Sequence, residues 1–321
     1  MKRRHSLALL AAGLAAAAGV RAQAWPGKPI RLIVGYSPGG AVDIIARAIA
    51  QQLQAALGQP VIVDNKPGAG TNIAVRTLID APADGYTLMM SANALAANPS
   101  LYQPSPFDPE RDVVPVSMVG RVPVVIAANA ESAIVSVQKL IEAARAAPGT
   151  VNYASPGNGS TPHLAMELFA HAAGIRLSHV PYRGGAPAII DVIGGQLPLV
   201  AVNALEVLPH VKSGKLRVLA VMSPARTAIY PDAPTIAESG QPGFEAAVWY
   251  GVIAPAATPK AVVAKLHDEI QKALASNEVR ERMAAVGGEV SPMSADQFGA
   301  LIHAERVRYE KLIRDAKIKP D

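Results

Sequence analysis

Four glycine-rich turns are the segments of this sequence whose composition could do chemistry. They span residues 37–40, 67–71, 157–161 and 183–186, and each stands directly before a run with helical spacing. Glycine lets a main chain approach a ligand closely, and the first N–H groups of a helix have no partner within that helix. The helix dipole adds positive charge at the same place, so such turns favour anions.

Other interpretations of these turns have to be weighed. Any one of them alone is more typical of an ordinary connection between a strand and a helix. A dinucleotide loop needs a small third residue where this chain has Ile73 or Pro162, and no Gly-Lys-Ser/Thr follows any turn. The number and shared position of the turns therefore favour an anion-binding cleft over a nucleotide site.

Catalysis has weaker support. Ser160 lacks the Gly-x-Ser-x-Gly elbow, and His163 stands at a helix start, where a capping or supporting role is more typical. A hydrolase that uses Ser160 and His163 stays as an alternative. The chain has no cysteine and no His-Glu-x-x-His motif, which excludes thiol nucleophiles, thiolate metal sites and that type of zinc site.

Two charged residues lie beside the turns. Asp43 falls in the first turn of its helix, where the dipole favours a carboxylate, and it could instead brace the turn at residues 37–40. Arg183 could contact a carboxylate ligand directly or lie at an exposed rim. The sequence leaves both questions open.

Two stretches of the chain repeat the order β-α-β-α-β with short connections, which builds parallel sheets with right-handed crossovers. In such sheets ligands bind beyond the carboxyl ends of the strands, where the four turns lie. The predicted strands of the two stretches are residues 30–36, 61–63 and 86–90, then 151–154, 177–182 and 199–203.

The same pattern predicts a division into two domains. Further strands are expected at residues 216–221 and 248–254, followed by mainly helical chain from Pro259. We place hinges near residues 123–127 and 246–249. One domain then contains residues 25–125 and 248–321, and the other contains residues 126–247.

The first 24 residues have the pattern of a secretory signal peptide. A basic start is followed by an apolar run that is too short to span a bilayer, and the small residues Ala22 and Ala24 predict cleavage after Ala24. This leader holds four of the 30 Lys and Arg residues, against 25 Asp and Glu in the whole chain, so the remainder is nearly neutral. With no basic stripe, nucleic-acid binding has no support.

The sequence resembles a known family in four segments: residues 25–31, 37–43, 65–70 and 180–187. These segments read WPGKPIR, SPGGAVD, NKPGAG and VPYRGGAP, and they are similar to the Bug proteins. Those proteins are the extracytoplasmic solute receptors of the tripartite tricarboxylate transporter family. The resemblance covers essentially the whole chain after the leader.

The resemblance implies an α/β fold of the type II periplasmic binding protein class, with two doubly wound α/β domains around a hinged ligand cleft. It also implies that two loops hold a ligand carboxylate, partly through main-chain N–H groups and water. The implied ligand-binding residues are Tyr36, Ser37, Pro38, Gly39, Gly40, Ala41, Gly70, Ser91, Asn93, Ser155, Asn158, Gly159, Ser160, Thr161, His163, Tyr182, Arg183, Gly184 and Asn203. At the position of Asn203 we expect Asp in many relatives, and a neutral Asn makes an amino-acid ligand less favoured.

From the residues and the resemblance together we expect a periplasmic solute-binding protein, not an enzyme, that passes a small carboxylate to the permease of a tripartite tricarboxylate transporter. The carboxylate could be a di- or tricarboxylate or an aromatic acid. A receptor that acts on a membrane sensor kinase is an alternative. We expect a monomer that needs no cofactor or metal.

Overall fold

The computed structural model describes residues 25–182 and 184–320. The predicted leader and the predicted site residue Arg183 lie outside the described residues. No helix in the described part of the chain is both long and apolar enough to cross a membrane.

Ten strands form one continuous sheet in the order β2-β1-β3-β9-β4-β7-β5-β6, with β8 and β10 also paired to β4. The mixed α/β class predicted from the sequence is confirmed. The strands are β1 Ile30–Val34, β2 Val61–Asn65, β3 Thr87–Ser91, β4 Val113–Asn129, β5 Asn152–Ser155, β6 Ser178–Pro181, β7 Leu199–Asn203, β8 Leu216–Val221, β9 Ala247–Pro255 and β10 Glu289–Met293.

The two repeated stretches form parallel strand triplets, as predicted. Strand β1 lies between β2 and β3, and strand β5 lies between β6 and β7 in the same order. The six predicted strands of these triplets differ from the observed bounds by at most two residues. Within each triplet the carboxyl ends of the strands, and the turns that follow, therefore lie along one edge. The two triplets run in opposite directions, because three antiparallel pairings (β3–β9, β9–β4 and β4–β7) separate them.

Helices cover the sheet, and those at residues 41–57, 72–79, 161–173 and 185–193 follow the glycine-rich turns. Gly58 ends the first helix in a left-handed conformation, with φ of 66°, that glycine adopts without steric cost. The helices are α1 Ala41–Leu57, α2 Asn72–Ile79, α3 Ala94–Leu101, α4 Val137–Ala146, α5 Thr161–Ala173, α6 Gly185–Ile193, α7 Ala204–Lys212, α8 Lys260–Ala275, α9 Asn277–Ala285 and α10 Ala295–Ala316.

Strand β4 joins the two triplets because it changes partners along its length. Its residues up to Pro123 pair with β9, and its residues from Val124 pair with β7 and β8. We call the part of the sheet before this change, with β1, β2, β3, β9 and β10, the first half, and the rest the second half. The predicted domain boundaries, at residues 125 and 247, stay a prediction.

The core of the first half includes a tightly packed aromatic contact on β9. Trp249 and Phe298 meet edge to face with ring centroids 5.3 Å apart, and Phe298 of α10 is fully buried. The face of the sheet at Gly251 has no room for a side chain, because a methyl group there would overlap the ring of Phe298.

We expect Gly251→Ala to lower the free energy of unfolding by about 1–3 kcal/mol, because overpacking displaces a side chain that has no free space. The neighbouring variant Gly299→Ala is the control. A methyl group at Gly299 would make only an ordinary contact of 3.4 Å with Pro115 Cγ, and alanine favours the helix by about 1 kcal/mol. Urea titration checks the pair, and equal midpoints for the two variants would contradict this packing.

Candidate ligand-binding site

A cavity of about 490 Å³ lies between the two halves of the sheet. Its floor includes Val248 and Tyr250 of β9, and its walls come from the starts of helices α1, α5, α6 and α7. The predicted site residues that line it are Tyr36, Gly39, Gly40, Ala41, Ser160, Thr161 and Asn203. Tyr36 and Asn203, which are 167 positions apart in the sequence, thus line the same cavity.

The start of α1 gives the cavity main-chain donors. The first hydrogen bond within this helix runs from Ile44 N to Gly40 O, so the N–H groups of Ala41, Val42 and Asp43 have no main-chain partner in the helix. Gly40, Ala41 and Val42 line the cavity at this point. The positive end of a 17-residue helix therefore faces the cavity.

Asp43 fixes the shape of this loop. Its buried carboxylate accepts hydrogen bonds from Gly39 N at 3.0 Å, from Arg47 Nε at 2.9 Å and from Asn65 Nδ2 at 2.9 Å. Asn65 Nδ2 also donates to Tyr36 O at 3.0 Å. Burial alone would raise the pKa of Asp43, but the hydrogen bonds from Arg47, Gly39 and Asn65 hold it below its ordinary value. The bracing role that the sequence left open is the one the structure shows.

The start of α5 faces the same cavity from the second half. Ser160 caps the helix, since its Oγ accepts from His163 N at 3.4 Å and donates to Gly157 O at 2.6 Å. Thr161 and Pro162 follow along the cavity wall. Two helix starts, one from each half, therefore converge on one space.

Behind this loop lies a cluster of buried rings. The imidazoles of His163 and His179 stack with centroids 4.0 Å apart, and Tyr153 stacks on the other side of His179 at 5.0 Å. His163 Nδ1 accepts from Gly159 N at 3.1 Å, and Ser155 Oγ lies 2.6 Å from His179 Nε2. Burial, and secondarily His179, lower the pKa of His163 to about 3.

This cluster supports the loop that carries Ser160 and Thr161. His163 Nδ1 faces a main-chain N–H, and the hydroxyl of Ser160 is directed to Gly157 O. Ser155 is fully buried and also bonds to Gly157. The predicted residues Ser155, Gly159 and His163 thus hold the turn that carries Ser160 and Thr161.

Three predicted site residues of the first half do not line the cavity: Asn93 and Ser91 are buried in the core, and Gly70 is exposed. Asn93 is 1% exposed, accepts from Trp249 N at 2.9 Å and donates to Tyr309 Oη at 3.0 Å. Ser91 is equally buried at the end of β3. The carbonyl of Gly70 accepts from Asn98 Nδ2 at 2.7 Å. These contacts brace the loops after β2 and β3.

The remaining predicted residues lie at the rim. Ser37 and Pro38 are exposed, and Asn158 belongs to the turn before α5. The Tyr182 hydroxyl donates to Asp191 at 2.6 Å, and Gly184 N donates to Pro156 O at 3.0 Å. Apart from Arg183, which is outside the described residues, this turn is therefore tied to its own half of the protein.

Glu206 is the charged residue among the described cavity-lining residues that the sequence analysis did not name. It belongs to α7 and accepts from Asn203 Nδ2 at 2.8 Å and, more weakly, from Asn203 N at 3.4 Å. Its sequence signal was the Asn-x-x-Glu spacing, which reads as a helix capping box. Burial raises the pKa of Glu206 above its ordinary value, against the smaller effect of the donors on Asn203.

The chemistry that the described lining offers is mostly neutral. Apart from Glu206, the described residues that line the cavity carry no formal charge. Within residues 25–182 and 184–320 no group of three His, Asp or Glu side chains could hold a metal ion. The arrangement can therefore hold an anion through main-chain N–H groups and hydroxyls.

Comparison with known proteins yields one family and close relatives. The family model of the tripartite tricarboxylate transporter family receptor matches residues 45–318. The chain is 40% identical to Protein BugT of Bordetella pertussis over 307 residues, which cover 94% of each protein.

Two solved structures share the fold and carry small acids. R. palustris Rpa4515 with adipate matches with a TM-score of 0.82 and 34% identity, over 92% of this chain and all of that one. MatC from Rhodopseudomonas palustris with bound malate matches with a TM-score of 0.80 and 27% identity, over 90% of this chain and all of that one. These matches confirm the predicted fold of a periplasmic binding protein.

We expect Asp43→Asn to lower the free energy of unfolding by about 2 kcal/mol, because buried donors lose a charged acceptor. The control is Asp80→Asn, which alters an Asp–Arg pair with the same spacing of four residues, Arg76–Asp80, that is exposed. Its effect should stay within about 0.5 kcal/mol. Chemical denaturation measures both, and an equal effect of the two variants would show that Asp43 does not brace the loop.

His163 should make the protein sensitive to mild acid. The unfolded chain binds a proton there near pH 6.5, whereas the folded protein does so only near pH 3. Between these values the unfolded state holds more protons, so stability falls as pH falls, by up to about 1.4 kcal/mol per pH unit.

The variant His163→Asn keeps an acceptor near Gly159 N, and it should flatten the dependence of unfolding free energy on pH between 6.5 and 4. The exposed His171 of the same helix supplies the control variant His171→Asn, which should keep the slope of the parent. If His163→Asn also keeps that slope, the buried imidazole is not the source.

Proposed function

The chain belongs to the tripartite tricarboxylate transporter receptor family, and from that premise we propose that it captures a small carboxylate in the periplasm and delivers it to the membrane permease of such a transporter. The observation that carries the proposal is the cavity of about 490 Å³, on which the starts of helices α1 and α5 converge from the two halves. Adipate and malate in two relatives of the same fold support the ligand class.

Binding rests on main-chain groups. The N–H groups at the start of α1, held in place by Asp43, and the start of α5 with the hydroxyl of Thr161 surround one side of the ligand. Donors fixed in place before binding need little reorganisation, and exclusion of water strengthens each hydrogen bond to a carboxylate. The hydroxyls of Tyr36 and Tyr250 supply further donors along the lining.

Delivery requires the two halves to close on the ligand. They are joined through strand β4 and strand β9, where Pro123 pairs with Ala247. In this proposal, these two strands form the hinge. The two domains predicted from the sequence are the units that move. A closed protein with its ligand then offers the permease a surface that the open form lacks.

Other roles have less to support them. A hydrolase would need an accessible nucleophile, but the Ser160 hydroxyl is engaged by Gly157 O and His163 Nδ1 by Gly159 N. The related proteins offer no support for a sensor kinase as partner, and we do not propose one.

A thermal-shift comparison of acids with their own primary amides tests the ligand class. Adipate and malate, followed by aromatic and tricarboxylic acids, should raise the Tm, because a ligand at a hundredfold excess over its Kd stabilises by about 2.7 kcal/mol. The corresponding amides keep the shape but lose the charge and should have no effect. Amides that stabilise as well as their acids would refute carboxylate recognition.

The variant Ala41→Glu locates the site. A carboxylate in the first turn of α1 is compatible with the helix dipole, but it places a negative charge in the cavity and should abolish the Tm shift with acids. Ala41→Gln has a similar size without charge and should retain part of that shift. Equal binding by both variants would place the ligand elsewhere.

A further inference from the structure

Glu206 is a charged group that a site for simple carboxylates does not need. It is the one charged side chain among the described residues that line the cavity. Burial raises the pKa of Glu206, and the hydrogen bonds from Asn203 offset this effect only partly. A carboxylate at this position repels an anionic ligand unless the ligand also carries a hydrogen-bond donor that the carboxylate can accept.

The hydrogen bonds around Glu206 leave two acceptors open. Within the described residues, both bonds to its carboxylate reach Oε1 and both come from Asn203. The amide of Asn203 must turn its Nδ2 toward this oxygen, since a carboxylate accepts and does not donate. The other side of the amide, Asn203 Oδ1, is then buried without a hydrogen-bond partner.

The second carboxylate oxygen, Glu206 Oε2, has room because residue 185 is a glycine. A methyl group on Gly185, at the start of α6, would overlap Glu206 Oε2. Tyr36 and Tyr250 line the same cavity as Glu206, and burial, followed by the neighbouring Tyr36 and Glu206, raises the pKa of Tyr250. Glu206, Asn203 and the two tyrosines therefore share one region of the cavity.

A buried acceptor without a partner, such as Asn203 Oδ1, is costly, so a ligand that donates to it gains affinity. An ammonium group has three donors and a positive charge, which suits a carboxylate and an amide oxygen side by side. We propose that the cavity binds a carboxylate that also carries a protonated amine, with the amine donating to Glu206 and to Asn203 Oδ1. This inference rests on the proposed function, whose carboxylate contacts it keeps.

The inference changes one expectation drawn from the sequence. A neutral Asn203 was expected to disfavour an amino-acid ligand, but that argument considered one position alone. Glu206, one helical turn further along α7, supplies the negative charge that Asn203 lacks, and Asn203 orients it.

Matched pairs of acids that differ by one amine test the inference. The probes are L-aspartate with succinate, L-glutamate with glutarate, L-alanine with propionate and L-phenylalanine with 3-phenylpropionate, titrated calorimetrically into the unliganded protein. In at least one pair the amine-bearing member should bind at least tenfold more tightly than its partner.

Two variants assign the effect to Glu206. Glu206→Gln keeps an oxygen that can accept from Asn203 and removes the charge. Gly185→Ala keeps the charge and displaces the carboxylate. Both should reduce the preference for the amine-bearing member, measured as the ratio of the two dissociation constants, at least tenfold.

The outcomes separate this inference from the proposed function. If the amine-free acids bind as well as or better than their partners, the inference fails and carboxylate binding stands. If an amine preference exists but survives Glu206→Gln, the amine is held elsewhere and the inference also fails. If no acid of either kind binds at millimolar concentration, both the inference and the proposed function fail.

Discussion

The buried carboxylate of Asp43 sets the geometry on which the cavity depends. It collects donors from the main chain at Gly39, from Arg47 and from Asn65, and Asn65 in turn holds the carbonyl of Tyr36. A loop of Ser, Pro and two Gly residues has little stiffness of its own. Its shape is therefore imposed by one side chain of the helix that it precedes, and the Ser155 and His163 contacts do the same for the facing loop.

In a site built from main-chain donors, the backbone and the side chains contribute different parts of ligand recognition. The N–H groups at the helix starts are present whatever the side chains are, so a preference for negative charge belongs to the architecture. Side chains such as Glu206, Leu205 and Tyr250 line the same cavity, and in the proposed site they would select among carboxylates. Relatives of one fold that carry adipate and malate are consistent with that division.

Patterns that act locally could be predicted from the sequence. The two strand triplets followed from apolar runs between turns, and Gly58 marked the end of α1. Strand β4 was missed as a single element because Pro115, Gly120 and Pro123 interrupt its pattern. The position of a residue after a strand predicts the edge of the sheet where it lies, but it does not predict where its side chain points. Asn93 follows β3, and its side chain points inward to Tyr309 and Trp249. Glu206 was hidden because a capping residue and a ligand contact look alike in sequence.

Two separate spaces lie beside the point where β4 changes partners. Ala247 and Val248 are adjacent on β9, and neighbouring side chains of a strand point to opposite faces. Val248 lines the ligand cavity, whereas Ala247 and Pro123 line a separate groove of about 300 Å³. The two spaces therefore lie on opposite faces of β9. On the proposed hinge at β4 and β9, a rotation that narrows the ligand cavity would widen this groove, so closure of the clamp would also change the opposite face of the protein.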